Sequence, residues 1–287
     1  MASLILAGDS IYLLVYMRQS YQTSMQEVFD ITFTQLGVMN SMFGLLAITA
    51  YFAGGWLSDR VATRSLLVFS LFATGCAGYY MATIPSYPTL LALHAFWGIS
   101  TILTFWSALI KAARLWGAPV DQGKTFGIFD AGRGFVGAVM FSLGAWVFSR
   151  YTSTADGLVA VIVLYATASI VAGLFVWVFI PEDSAHGSLK DGKPESESVG
   201  QMKNVIRLPA VWLQAFIILL AYWLYLGSFE FATFAEKTFG QDKVFGATLS
   251  ACREWVRPLS AIAAGFLADR IRPTRAVMIC FVASALG

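Results

Sequence analysis

Gly55-Trp56-Leu57-Ser58-Asp59-Arg60-Val61-Ala62-Thr63-Arg64 is a short, basic, turn-prone interruption between two long apolar runs. A near copy follows as Gly265-Phe266-Leu267-Ala268-Asp269-Arg270-Ile271-Arg272-Pro273-Thr274-Arg275, where Asp269 lies 210 residues after Asp59. Each copy sits between two segments of membrane length. The repeat sets the frame for the whole chain: long apolar helices joined by short polar loops.

Composition agrees. Hydrophobic residues make up 57% of the chain and charged residues 13%, with a mean hydropathy of +0.68. A soluble domain carries about 25% charge, so this chain has roughly half the polar surface needed to face water. Runs of about 20 apolar residues indicate membrane-spanning helices. A β-barrel would show segments of about ten residues with alternating polarity, and none occur. Cys76, Cys252 and Cys280 are scattered through apolar runs without metal-ligand spacing, so no metal site is expected. The first apolar run is too long for a cleavable signal peptide and lacks a basic leader.

In order, the spans are predicted from Ala2 to Met25, Thr34 to Trp56, Ser65 to Thr83, Thr89 to Ile110, Thr125 to Ser149 and Gly157 to Ile180. A solvated linker rich in Ser, Gly, Lys and Glu follows over 182–208. Pro209 to Ala235 and Phe245 to Ala268 are the seventh and eighth spans, and Ala276 to Gly287 begins a ninth. Lys and Arg fix the orientation. Twelve fall in the loops that follow even-numbered spans (Arg60, Arg64, Lys111, Arg114, Lys124, Lys190, Lys193, Lys203, Arg207, Arg270, Arg272, Arg275) and three, Arg150, Lys237 and Lys243, on the opposite side. The even-to-odd loops and the N-terminus are therefore expected in the cytoplasm, and a bacterial inner membrane is the expected location.

A G-x-L-x-D-R-x-x-x-R loop in such a chain resembles the loop between helices 2 and 3 of major facilitator superfamily transporters, repeated between helices 8 and 9 of that fold. The resemblance implies an all-α integral membrane protein of two similar six-helix halves. Residues 1–181 would form the N-terminal six-helix bundle and 209–287 a truncated C-terminal bundle, giving about nine of twelve helices. It also implies a gating role for Gly55, Asp59, Arg60 and Arg64 and for Gly265, Asp269, Arg270 and Arg275. Asp59 is expected to cap an adjacent helix and to pair with arginine across the seam between halves, a contact that breaks as the halves rock.

Four cations, Arg18, Arg133, Arg253 and Arg257, fall inside apolar spans. A cation at the bilayer centre costs about 2.5–3.5 kcal/mol, so each must face water, an anion or a counter-charge. At about 1.5 Å per residue, Arg133 lies about 12 Å into the fifth span and Arg257 about 18 Å from the cytoplasmic end of the eighth. Arg18 lies about 13–14 Å from the outer face by the same measure. Guanidinium groups offer a planar fork of donors to carboxylate or phosphate. The alternative is internal pairing, with Asp130 one turn before Arg133 and Glu254 beside Arg253 and Arg257.

Tyr16-Met17-Arg18-Gln19-Ser20-Tyr21, with Met25 beyond, resembles the helix-1 signature of organophosphate:phosphate antiporters, which implies that Arg18 grips an anionic substrate; Tyr21, an aromatic that could line the cavity, is a further substrate-binding candidate. Arg133 falls where that family has a histidine, and Glu254 where it has a glutamate. The family's second phosphate arginine is replaced by Tyr225 and its helix-2 lysine by Tyr51. The departures favour another organic anion, such as a sugar acid. Candidate proton or ion-coupling residues are Asp130, Glu254, Glu230 and His94. His94 is also read as a hydrogen-bonded core histidine, Glu230 as a rim residue, and Asp9 as a solvated end residue.

The expectation is a secondary transporter of a small organic anion, working by alternating access in a lipid bilayer with a proton, sodium or a counter-anion. The alternatives are a proton-coupled sugar or drug carrier whose arginines are locked in ion pairs, and a non-transporting membrane sensor of an external anion. No nucleophile–base pair, phosphate loop or metal-ligand cluster suggests an enzyme. No cofactor is implied, and nucleic-acid binding has no support because the basic residues follow membrane topology.

Overall fold

Each apolar run of the sequence becomes helix. The computed structural model describes residues 1–116, 122–182 and 207–271, together with 275, 277–279, 281 and 282, and these are all-helical apart from turns. The first span is three pieces: α1 (Ala2–Ser10), α2 (Leu13–Tyr16) and α3 (Arg18–Val28). Single helices α4 (Phe33–Arg60) and α5 (Thr63–Met81) form the second and third. The fourth combines α6 (Tyr87–Ile99), a π-helical segment (Ser100–Trp106) and α7 (Ser107–Trp116). Next come α8 (Gln122–Phe148) and α9 (Thr154–Phe179). The seventh span is α10 (Pro209–Gly227) and α11 (Phe231–Phe239) with a 3₁₀ turn between them, and the eighth is α12 (Lys243–Arg270).

Local chemistry sets the ends. Thr32 and Gln35 form a reciprocal capping box at the start of α4. Ser153 caps α9 by accepting from the Asp156 amide. Pro88 stands in the first turn of α6 and Pro209 opens α10, positions where a missing N–H costs nothing. Among the described residues, five stretches are long and apolar enough to cross a membrane: Phe33–Tyr51, Tyr87–Arg114, Phe126–Phe148, Thr154–Phe179 and Pro209–Phe239. The eighth span carries Arg253, Glu254 and Arg257 in its middle, and the first is interrupted. At its breaks, Tyr12 N–H donates to Asp9 O and Ser20 N–H to Met17 O, so the tighter i→i−3 bond locally replaces the α ladder.

The expected spans are present, with ends that differ by a few residues because the helices run past the apolar stretch into polar flanks. Most of the expected linker, 183–206, lies outside the described residues, as does most of the ninth span. The side chains of Lys124, Asp269 and Arg270 and the surroundings of Gly265 are outside them too. Two apolar clusters fill the interior of the first six spans. One is built on Leu14, Met25, Met39, Trp97 and Tyr165, the other on Leu4, Leu67, Phe105, Leu109 and Val176. Large apolar side chains such as Leu45, Trp146, Trp177 and Phe216 are exposed, as expected where the solvent is hydrocarbon.

The most extensive packing in the chain is between α8 and α12. Gly134 makes the close approach possible: a Cβ there would lie 3.2 Å from the Pro258 nitrogen. This pairing brings the charged middles of the two helices together.

Candidate functional site: a buried ionic cluster between helices 1, 8 and 12

Asp130 and Arg133 stand one turn apart on α8, and the Arg133 Nη1 lies 3.3 Å from Asp130 Oδ1. From α12, Arg257 Nη2 reaches the same carboxylate oxygen at 3.5 Å, and its Nη1 lies 3.5 Å from Asp9 Oδ1 on α1. Arg133 is 8% exposed; its Nε donates to the Gly8 carbonyl at 3.0 Å, and its guanidinium lies 5.3 Å from the Trp106 ring centroid. Gly8 lets that side chain lie flat, since a Cβ there would meet Arg133 Cδ at 3.0 Å. The Asp130 side chain is 51% exposed, so one face of the cluster is open.

Asp9 corrects the sequence reading. It is not a solvated end residue but is 6% exposed, pressed against Gly137, where a Cβ would lie 2.7 Å from Asp9 Oδ2. Its neighbours Gly137 and Arg257 are 128 and 248 residues away in sequence, so no local pattern reveals it. The one sequence hint is a carboxylate inside an otherwise apolar run.

A second cluster lies nearer the start of α12. Arg253 Nη2 donates to Glu254 at 2.5 Å and to Gln19 Oε1 at 2.5 Å, and Nη1 donates to Ser228 O at 3.2 Å, with the Phe229 ring centroid 4.6 Å away. Glu254 is buried. Arg18 donates to Glu230 at 2.8 Å and to Gln22 at 3.2 Å, and Asn40 of α4 turns its amide oxygen to the same guanidinium. Further out, Thr23 bonds Glu236, and Lys243 bonds both Glu27 and, at 3.2 Å, Thr154. The Lys243 ammonium holds the exposed Glu27 carboxyl below its ordinary range.

Of the other predicted residues, Tyr225 lies beside the clusters, within electrostatic range of Glu254, Arg257 and Arg253, and the rest fall elsewhere. Tyr21 is packed in the core against Phe148, 5.2 Å between centroids, and is not brought to the arginines. Tyr225 is exposed on α10, its ring 4.9 Å from Phe229. His94 is buried against Trp97, and its Nδ1–H donates to the Leu90 carbonyl at 2.9 Å. At the α4–α5 loop, Arg60 covers the Trp56 ring and Arg64 pairs with Glu182 at 2.5 Å. Asp59 is exposed and does not cap α5, whose N-cap residue, Ala62, makes no side-chain bond. Arg275 is exposed, and Gly55 has open space around it.

The Major Facilitator Superfamily pattern matches residues 4–287. The chain is 29% identical over 222 residues to the inner membrane protein YqcE of Escherichia coli K12, covering 76% of this chain and 52% of that one. It is 26% identical over 280 residues to the inner membrane protein YihN of the same organism, covering 97% and 66%. A Mycoplasma pneumoniae protein, the MG294 homolog, is 25% identical over 269 residues, covering 84% and 56%. The chain thus spans about half to two thirds of the length of the curated relatives it matches. Helical architecture, span pattern and a match over nearly every residue agree: the chain belongs to the major facilitator superfamily and is a multi-pass membrane protein.

Proposed function

We propose that this protein is a secondary transporter that moves a small organic anion by alternating access, with Arg133 and Arg257 as the central anion contacts and Arg18 further out. The observation that carries this is that guanidinium groups from the fifth and eighth spans meet on one half-exposed carboxylate oxygen of Asp130. Both contacts, at 3.3 and 3.5 Å, are longer than a charge-assisted hydrogen bond of about 2.7–2.9 Å. A substrate carboxylate or phosphate entering the open face competes for the same two forks. Residues 1–181 and 209–287 act as the rocking halves, and the Asp59 and Asp269 loops gate the cytoplasmic side. The inner-membrane relatives support a bacterial inner membrane, and the Lys and Arg balance of the loops supports a cytoplasmic N-terminus.

A second reading is a proton-coupled carrier of a neutral sugar or drug. It is favoured by the fact that Arg18, Arg133, Arg253 and Arg257 each have a carboxylate within 3.5 Å. Ligand stabilisation of the full-length protein in detergent separates the two, because a binder stabilises by RT ln(1 + [L]/Kd). Sugar phosphates, sugar acids and dicarboxylates should raise the melting temperature of wild type but not of Arg257→Gln. Stabilisation of both proteins by neutral sugars alone would put the second reading in its place.

A further inference from the structure

Asp9 is the one charged residue of α1, and it sits where that helix breaks. Among the described residues its side chain accepts no hydrogen bond; Arg257 lies 3.5 Å away, beyond the reach of a good charge-assisted bond. The charged groups facing it are Asp130 and Arg133 from α8 and Glu254 and Arg257 from α12, with Tyr165 of α9 and Tyr225 of α10 as the titratable neighbours. From α7, Lys111 donates instead to Ser58 O on α4. A buried carboxylate with a loose partner and a second carboxylate nearby is costly as an anion. The Arg257 side chain is 28% exposed and Asp130 51%, so water reaches the far side of the cluster.

We propose that Asp9 is the proton-coupling residue of this transporter, exchanging its Arg257 ion pair for a proton when the anion binds. The inference rests on the anion reading above. In the step, a proton from the aqueous cavity adds to an Asp9 carboxylate oxygen, the Asp9–Arg257 ion pair opens, and the substrate anion takes the freed guanidinium. On the cytoplasmic side the anion leaves, Asp9 gives its proton to water, and the ion pair re-forms. For a monoanion such as D-glucuronate, one negative and one positive charge cross together, so the membrane potential, worth about 2.3 kcal/mol per charge per 100 mV, does not oppose entry.

The test uses the full-length protein in proteoliposomes, D-glucuronate and glycerol 3-phosphate as probes, and a pH dye inside. Wild type should bind the anion up to about tenfold more tightly per pH unit of acidification and carry about one proton per anion. Asp9→Asn mimics the protonated state. It should bind with an affinity independent of pH and near the acidic wild-type value, and exchange anion for anion, yet fail to accumulate it under a pH gradient. Gly137→Ala, which displaces the Asp9 carboxylate without changing its charge, should lower the proton-to-anion ratio. Retained gradient-driven accumulation in Asp9→Asn, or an unchanged pH dependence and ratio in Gly137→Ala, overturns the proposal. Anion exchange by wild type without proton uptake overturns it alone, whereas no binding of either anion at any pH overturns it together with the anion reading.

Discussion

Arg18 on α3 reaches Glu230 at 2.8 Å, joining the first span to the seventh across 212 residues of chain. The contact occupies a guanidinium that the helix-1 signature assigns to substrate. On the anion reading, Glu230 is a competitor. Glu230→Gln should then tighten anion binding several-fold while Arg18→Gln weakens it. Being partly exposed, the pair itself should contribute no more than about 1 kcal/mol to thermal stability. Isothermal titration of the two variants checks the direction; equal loss in both would make the pair purely structural.

Asp130 is the carboxylate shared by Arg133 and Arg257. Asp130→Asn should raise affinity for the anion, and Arg257→Lys should lower it tenfold or more, because an ammonium cannot offer a planar fork. Affinity measurements at fixed pH across the two variants decide it. Weaker binding in Asp130→Asn would show that the carboxylate positions the arginines.

Glycines predict stability without reference to function. A Cβ on Gly98 would lie 2.5 Å from the Phe43 carbonyl oxygen, so Gly98→Ala must push α6 off α4 and should cost about 1–3 kcal/mol. Gly37, inside α4 with nothing within 4 Å, should gain up to about 1 kcal/mol as Ala. Melting curves in one detergent should order the variants Gly37→Ala, wild type, Gly98→Ala.

Glu27–Lys243 and Thr23–Glu236 join the C-terminal end of α3 to the start of α12 and to α11, a side that the loop charges put outside. Because Lys243 depresses the Glu27 carboxyl, this contact is fully formed above the ordinary carboxylate range and is lost as pH falls through the lowered value. In a protein with its native cysteines removed, Ser250→Cys lies beneath the junction, where the Ser250 hydroxyl donates to Gln19 O. Labelling of that thiol by an impermeant reagent from outside should speed up only once the pH falls below the ordinary carboxylate range and, with Lys243→Gln, should already be fast at neutral pH. A rate flat across pH in both would show that the Glu27–Lys243 contact does not control access to Ser250.

Hydropathy is enough to find the spans, since lipid demands apolar length and helices satisfy their own backbone. Asp130–Arg133 is equally legible, because i and i+3 share a helix face. Asp9 and Arg257 are not: their meeting depends on α1, α8 and α12 packing together, which no window of sequence contains. The breaks in the first span are hidden too, as no proline marks them and apolar averaging passes over them. Tyr21, a cavity-lining candidate by residue type, has its ring turned into the core beside Phe148, a placement that depends on packing in the same way.

The π-helical stretch at Ser100–Trp106 is the way a helix holds one residue more than its α-helical neighbours require. Its last residue, Trp106, lies against both Arg133 and Tyr12. The wide turn takes up the surplus, so the helix on either side keeps its facing and Lys111 stays on Ser58. Removing one residue from the stretch would close it to α-helix and move only the side chains within the turn, whereas removing one from the α-helix before it would turn everything beyond by about 100°. A change of length in the fourth span can thus be absorbed at this one stretch without disturbing the contacts beyond it.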